Sequence, residues 1–206
     1  MPQVTYSAIE ADLKTGDIVL FTGSTDISTP IKWATLSRWA HVGMVIRLPG
    51  RPGAMVWESL SKNVLPDAID GQDKSGVQTL DLRSRILEAK EDVAIRQLNR
   101  PITPEMFERL TQLRVTLRGR AYEENFWELA RAAFSGLFGK NTEDHSSLFC
   151  SELIAAAYQV MGLIPSVADG GEASNDYVPA DFAADDPEML LLGYELGPET
   201  LVSPPT

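Results

Sequence analysis

The chain contains one cysteine and two histidines, so any thiol chemistry must run through Cys150, with His41 or His145 as its base. Cys150 stands in Phe149-Cys150-Ser151-Glu152-Leu153-Ile154, where an apolar periodicity starts that continues through Ala157, Tyr158 and Met161 to Gly162. A cysteine at a helix start meets the positive end of the helix dipole, which favours the reactive thiolate. The plainer reading of a lone cysteine is a small buried hydrophobe, although Ser146, Ser147, Ser151 and Glu152 give this one polar surroundings. His41 shares a strand face with Gly43, which leaves space beside an imidazole. His145 is nearer in sequence but lies in Asn141-Thr142-Glu143-Asp144-His145-Ser146-Ser147, a solvated stretch with nothing to fix a tautomer. A Cys/His pair also needs an acceptor for the second ring N–H. Glu58 suits that role, since it interrupts Met55-Val56-Trp57, where an acid is costly without a partner; the alternative is that it faces solvent at a strand end.

These residues need elements to hold them. Ile18-Val19-Leu20-Phe21, between Gly16-Asp17 and Thr22-Gly23, reads as a buried strand, and a short helix is expected between Pro30 and Ala40. In His41 to Arg47 the side chains of Val42, Met44 and Ile46 alternate with those of His41, Gly43 and Val45. The turn-rich Leu48-Pro49-Gly50-Arg51-Pro52-Gly53 leads to a returning strand, Ala54 to Leu60. A four-residue loop, Leu48 to Arg51, would set Arg47 opposite Pro52 and His41 opposite Glu58 on one face. Further strands are expected over Gly76 to Leu82 and Asp92 to Leu98. Thr103-Pro104-Glu105 carries the signals of a helix start, Phe107, Leu110, Leu113 and Leu117 line one face, and Gly119 ends it. A second helix spans Asn125 to Leu137 and a third begins near Cys150. The tail from Gly193 to Thr206 is expected to be loosely ordered.

With 206 residues, 44% of them hydrophobic, the chain suits a single domain over residues 1–206. Eighteen basic residues against 29 acidic ones leave a net charge of −11, which opposes phosphate backbones and anionic membranes, so nucleic acid is not an expected partner. A lone cysteine cannot form an internal disulfide, and with two histidines it is too little for a Cys/His zinc site; neither a metal nor another cofactor is expected. No stretch reaches the apolar length of a membrane span and the first residues lack a signal-peptide pattern, so the expectation is the cytoplasm, or export without a cleaved signal, and no stable membrane insertion.

Gly16-Asp17-Ile18-Val19-Leu20-Phe21, Ala40-His41-Val42-Gly43-Met44-Val45, Val56-Trp57-Glu58 and Phe149-Cys150-Ser151-Glu152-Leu153-Ile154 follow one another in that order. In this ordered set the chain resembles the circularly permuted NlpC-type papain-like cysteine hydrolases and, more distantly, the relatives of lecithin:retinol acyltransferase. Gly119-Arg120-Ala121-Tyr122 and Val178-Pro179-Ala180-Asp181-Phe182 extend the likeness to about residues 15–183, with Glu123 standing where an aspartate would be expected. The resemblance implies an α+β fold, with an antiparallel, partly barrel-like sheet packed against helices. It also implies Cys150 as nucleophile, His41 as base and Glu58 as the acid that orients it. The chemistry implied is acyl transfer through a thioester, ending in hydrolysis of cell-wall peptide amides or lipid acyl groups. By its wide apolar face the helix carrying Trp127 and Phe134 would be a lid or an apolar groove, with plain core as the commoner use of such a face; an exported effector would call for a cognate inhibitor protein. A module of the same fold that binds a peptide or acyl group without turning it over is the alternative.

Overall fold

Alternation of side chains, rather than a single apolar stripe, organises the sheet. The computed structural model describes residues 1–23, 37–118, 148–183 and 190–205. Its seven strands are β1 (Gln3–Thr5), β2 (Ile18–Phe21), β3 (His41–Ile46), β4 (Met55–Leu60), β5 (Gly76–Asp81), β6 (Val93–Arg96) and β7 (Thr200–Ser203). They lie in the order β1-β7-β6-β2-β3-β4-β5, antiparallel at every step except β1 with β7. The expected α+β fold is present, with an almost wholly antiparallel sheet packed against helices; the sheet is open, with β1 and β5 at its edges. The described helices are α1 (Tyr6–Ile9), α2 (Leu82–Glu88), α3 (Pro104–Leu117) and α4 (Leu148–Met161).

Ile18, Leu20, Val42, Met44, Ile46 and Trp57 pack on one face with α3 and α4. Val19, Phe21, Val45, Val56 and Leu80 pack on the other with Tyr6, Leu82 and Ile86 of α1 and α2. Because both faces are covered, β2 is apolar at all four positions and shows no polar alternation. Thr103 caps α3, its hydroxyl accepting from the Met106 backbone N–H, and the buried stripe is Met106, Leu110, Leu113 and Leu117. The expected stripe held Phe107 in place of Met106. Ala155, Ala156 and Ala157 are fully buried and let α4 lie close to the sheet; the helix ends at Gly162, whose φ of 74° favours glycine.

Two expectations change. The hairpin pairs Met44 with Trp57 and Ile46 with Met55, a shift of two residues from the register that sets His41 opposite Glu58. Arg47 explains the shift. Its backbone N–H donates to Thr15 Oγ1 at 2.8 Å and its Nε to the Leu13 carbonyl at 3.0 Å, drawing the chain off β4 and lengthening the loop. A shift of two preserves the faces, whereas a shift of one would have reversed them. The C-terminal segment is the second change: Thr200–Ser203 forms β7 between β1 and β6, with Val202 buried. The helices expected at 30–40 and 125–137 fall largely or wholly outside the described residues, as do Glu123, His145, Trp127 and Phe134.

Candidate active site

His41 is the first residue of β3, where the strand emerges beside Phe21 of β2. Its Nε2 lies 2.6 Å from Glu58 Oε2, although the pairing places Glu58 diagonally across from it. Gly43 makes that diagonal approach feasible. A Cβ there would stand 2.7 Å from Val56 Cγ2 and 3.3 Å from Glu58 Cβ, so any larger residue would push the acid away from the imidazole. Gly43→Ala is expected to destabilise the fold by about 1–3 kcal/mol through overpacking and to lower its melting temperature, with Val56→Ala in the same chain restoring part of the loss. An unchanged melting temperature for Gly43→Ala would show that β4 yields freely.

Glu58 is 0% exposed and would be unstable as a lone buried carboxylate. Arg85 of α2 supplies the countercharge, donating from Nε to Glu58 Oε1 at 3.0 Å, so each carboxylate oxygen has its own partner. The Arg85 guanidinium also sits 4.0 Å from the centre of the Phe21 ring, and that ring stands 5.5 Å from the imidazole. Burial pushes the Glu58 carboxyl up, but the charge of Arg85 and the bond to His41 hold it below the usual range. Arg85 is absent from the sequence-based set. The available signal is the spacing of Leu82, Arg85 and Ile86, which puts an arginine on the buried face of a short helix.

Cys150 lies in the first turn of α4, 3% exposed, and faces His41. A hydrogen bond joins the two side chains; since Nε2 serves Glu58, Nδ1 is the ring nitrogen left for the sulfur. Burial alone would push the imidazole pKa down. The Cys150 charge and hydrogen bond, followed by those of Glu58, outweigh it and raise the value to about 10. The arrangement places His41 to exchange a proton with the Cys150 sulfur while a buried carboxylate holds its other ring nitrogen. Ser151 steadies this turn by donating from Oγ to the Tyr177 carbonyl at 2.7 Å. The Val178–Phe182 string therefore has a structural use: Asp181 Oδ2 accepts from the Val178 N–H at 2.7 Å and closes the turn that follows Tyr177.

The structure thus brings together Cys150, His41 and Glu58, while His145 falls outside the described residues. An open α+β sheet packed against helices, matched by the family's profile, places the chain in the permuted papain-like class of amidases and peptidases. The chain belongs to the permuted papain-like amidase family described as YaeF/YiiX, C92, whose profile matches residues 12–168. Among solved structures it is similar to the metalloprotein YiiX from Escherichia coli O157:H7, at 22% identity and a TM-score of 0.46. That match covers 71% of this chain and 65% of the other, just under two thirds of its length. No curated protein matches the chain. Among the described residues no group of three or more His, Cys, Asp or Glu is placed to hold a metal ion, and no helix is long and apolar enough to cross a membrane.

Proposed function

We propose that the protein is a cysteine hydrolase of amide bonds, with Cys150 as nucleophile, His41 as acid and base, and Glu58 as the group that orients His41. The supporting observation is the bridging position of His41, bonded to Glu58 on one side and to Cys150 on the other. In the first half of turnover the Cys150 sulfur bonds to the substrate carbonyl carbon. The C–N bond then breaks as His41 gives its proton to the departing nitrogen, leaving a thioester. In the second half water adds to the thioester carbonyl and passes a proton to His41. The C–S bond breaks, the acid leaves, and the Cys150–His41 pair is restored. The Cys150 backbone N–H, in the first turn of α4, is the proposed oxyanion donor.

Amides are favoured over lipid esters because the family is one of amidases, and cell-wall peptides are the amide class we propose. The test is to incubate the wild-type chain and Cys150→Ala separately with peptidoglycan fragments and with phospholipid vesicles, and to assay released amines and fatty acids. Amine release by the wild type alone supports the reading. Release of fatty acid instead would assign lipid ester hydrolysis, and no product together with an alkylation-inert Cys150 would make the protein a binding module.

The raised imidazole also sets a pH dependence. His41 is protonated below about 10, so the acid needed for amine departure persists through neutral pH and kcat/KM is expected to fall as pH rises through about 10. Stability carries the same sign. The contribution of the charged His41 is complete below the ordinary histidine pKa of about 6.5 and is lost on passing the raised one. Glu58, held low, contributes above the usual carboxylate range and loses that contribution as pH falls through its lowered value. An activity profile that falls on the alkaline side near 6.5 would contradict the raised His41 value.

A further inference from the structure

A cavity of about 190 Å³ lies between α3 and the β4–β5 edge of the sheet. Trp57, Val77 and Thr79 line its sheet side, Thr111 and Arg114 its helix side, and Arg118 also borders it. Trp57 is on the sheet face that packs with α3 and α4, and none of Cys150, His41 and Glu58 lines the cavity, so this space is separate from the candidate active site. Arg114 donates from Nη2 to Thr79 Oγ1 at 3.2 Å, but its Nε is buried with no acceptor, and among the described residues it forms no ion pair. Burial pulls its pKa down to about 10, with Asp67 opposing and Arg118 adding to the fall.

Asp67 borders the same cavity but its oxygens are engaged elsewhere. Oδ1 accepts from the backbone N–H groups of Ile69 at 2.8 Å and Asp70 at 3.2 Å. Oδ2 accepts from Thr79 N–H at 2.9 Å and pairs with Lys74 at 3.1 Å. Lys74 also pairs with Asp70, and Arg118 stands 3.8 Å from that same acid. Among the described residues, the ion pairs of Lys74 and Arg118 run to Asp67 and Asp70, and Arg114 adds a third positive charge beside these two acids in a chain whose net charge is −11.

Arg114 is only partly buried, and a partly desolvated guanidinium with no carboxylate partner among the described residues gains when an anion takes up its terminal N–H groups on the cavity side. Indole and valine walls select an anion that carries an apolar body. The volume is below the roughly 300–1,000 Å³ of drug-sized ligand pockets, so a long acyl chain does not fit. We propose that this cavity binds a small monocarboxylate, its carboxylate on Arg114 and its short aliphatic or aromatic body between Trp57 and Val77.

The test titrates the full chain at low salt with butyrate, benzoate, the neutral analogues butyramide and benzamide, and inorganic phosphate, following calorimetry and the NMR shift of the Trp57 indole N–H. Saturable binding of a carboxylate is expected, at least about tenfold weaker for its amide and for phosphate, and lost in Arg114→Gln. Arg114→Lys keeps the charge without the fork and is expected to bind about tenfold more weakly. Binding should be unchanged in Cys150→Ala, which separates this site from the proposed catalytic one. Circular dichroism of Arg114→Gln reports whether the variant is folded; if it is not, Thr111→Val, at a residue on the cavity wall, takes its place and should shift affinity. No saturable binding, equal binding by folded Arg114→Gln, or phosphate binding at least as tightly as both carboxylates would overturn the proposal.

Discussion

Cys150→Ala is expected to abolish turnover, a loss of at least about a thousandfold, while leaving the fold intact. Cys150 is buried in the first turn of α4 and alanine fits there without overpacking, so the loss can be read as removal of the nucleophile. Circular dichroism and a melting curve check the fold, and product release checks the activity. His41→Ala should cost nearly as much, since both halves of turnover pass a proton through that ring, and it should slow alkylation of Cys150 near neutral pH. Glu58→Gln should lose only part of the rate, because orientation is secondary to proton transfer. His145→Ala should be nearly silent. Loss of activity in the His145 variant with none in the His41 variant would reassign the base.

The largest expected effect on stability is at Arg85. Removing one partner of a buried pair leaves the other charge uncompensated, so Arg85→Met is expected to destabilise the protein by about 3–5 kcal/mol in urea titration. Arg85→Lys should recover only part, because an ammonium cannot reproduce the Nε contact with Glu58 Oε1 and the stacking over Phe21 together. The double variant Arg85→Met with Glu58→Gln distinguishes the cause. If the cost comes from stranding the carboxylate, the second substitution returns part of the stability; simple additivity of the two would refute the pairing as its source.

Cys150, His41 and Glu58 are legible in the sequence because each breaks a local pattern: a thiol opens a helix, an imidazole opens an alternating strand, and an acid sits in an apolar run. Their faces could be read because alternation depends on parity alone. The register could not, since it depends on Arg47 reaching Thr15 and Leu13, contacts that no hairpin rule contains. Arg85 escaped for a similar reason. Its partner lies 27 residues away on another element, and a basic residue in a short helix ordinarily faces solvent. The tail looked unstructured because Leu201 and Val202 have little local apolar company; their order comes from β1 and β6, distant in sequence. The family strings carried more than the positions of the reacting groups, since Val178 to Phe182 turned out to brace the turn that holds Cys150.

The placement of β7 also bears on the order in which the molecule can assemble during synthesis. β2, β3, β4, β5 and β6 are neighbours within residues 18–96 and can pair as soon as that stretch leaves the ribosome. β1 is made first yet among the described strands borders only β7, with Gln3 paired to Leu201, so it must wait through nearly the whole of translation for that partner. Until then the open edge of β6 and the unpaired β1 are both exposed as strand templates. Docking of β7 closes the widest loop in the sheet and should be a slow, late step, and the nascent chain is at greatest risk of aggregation in the interval before it.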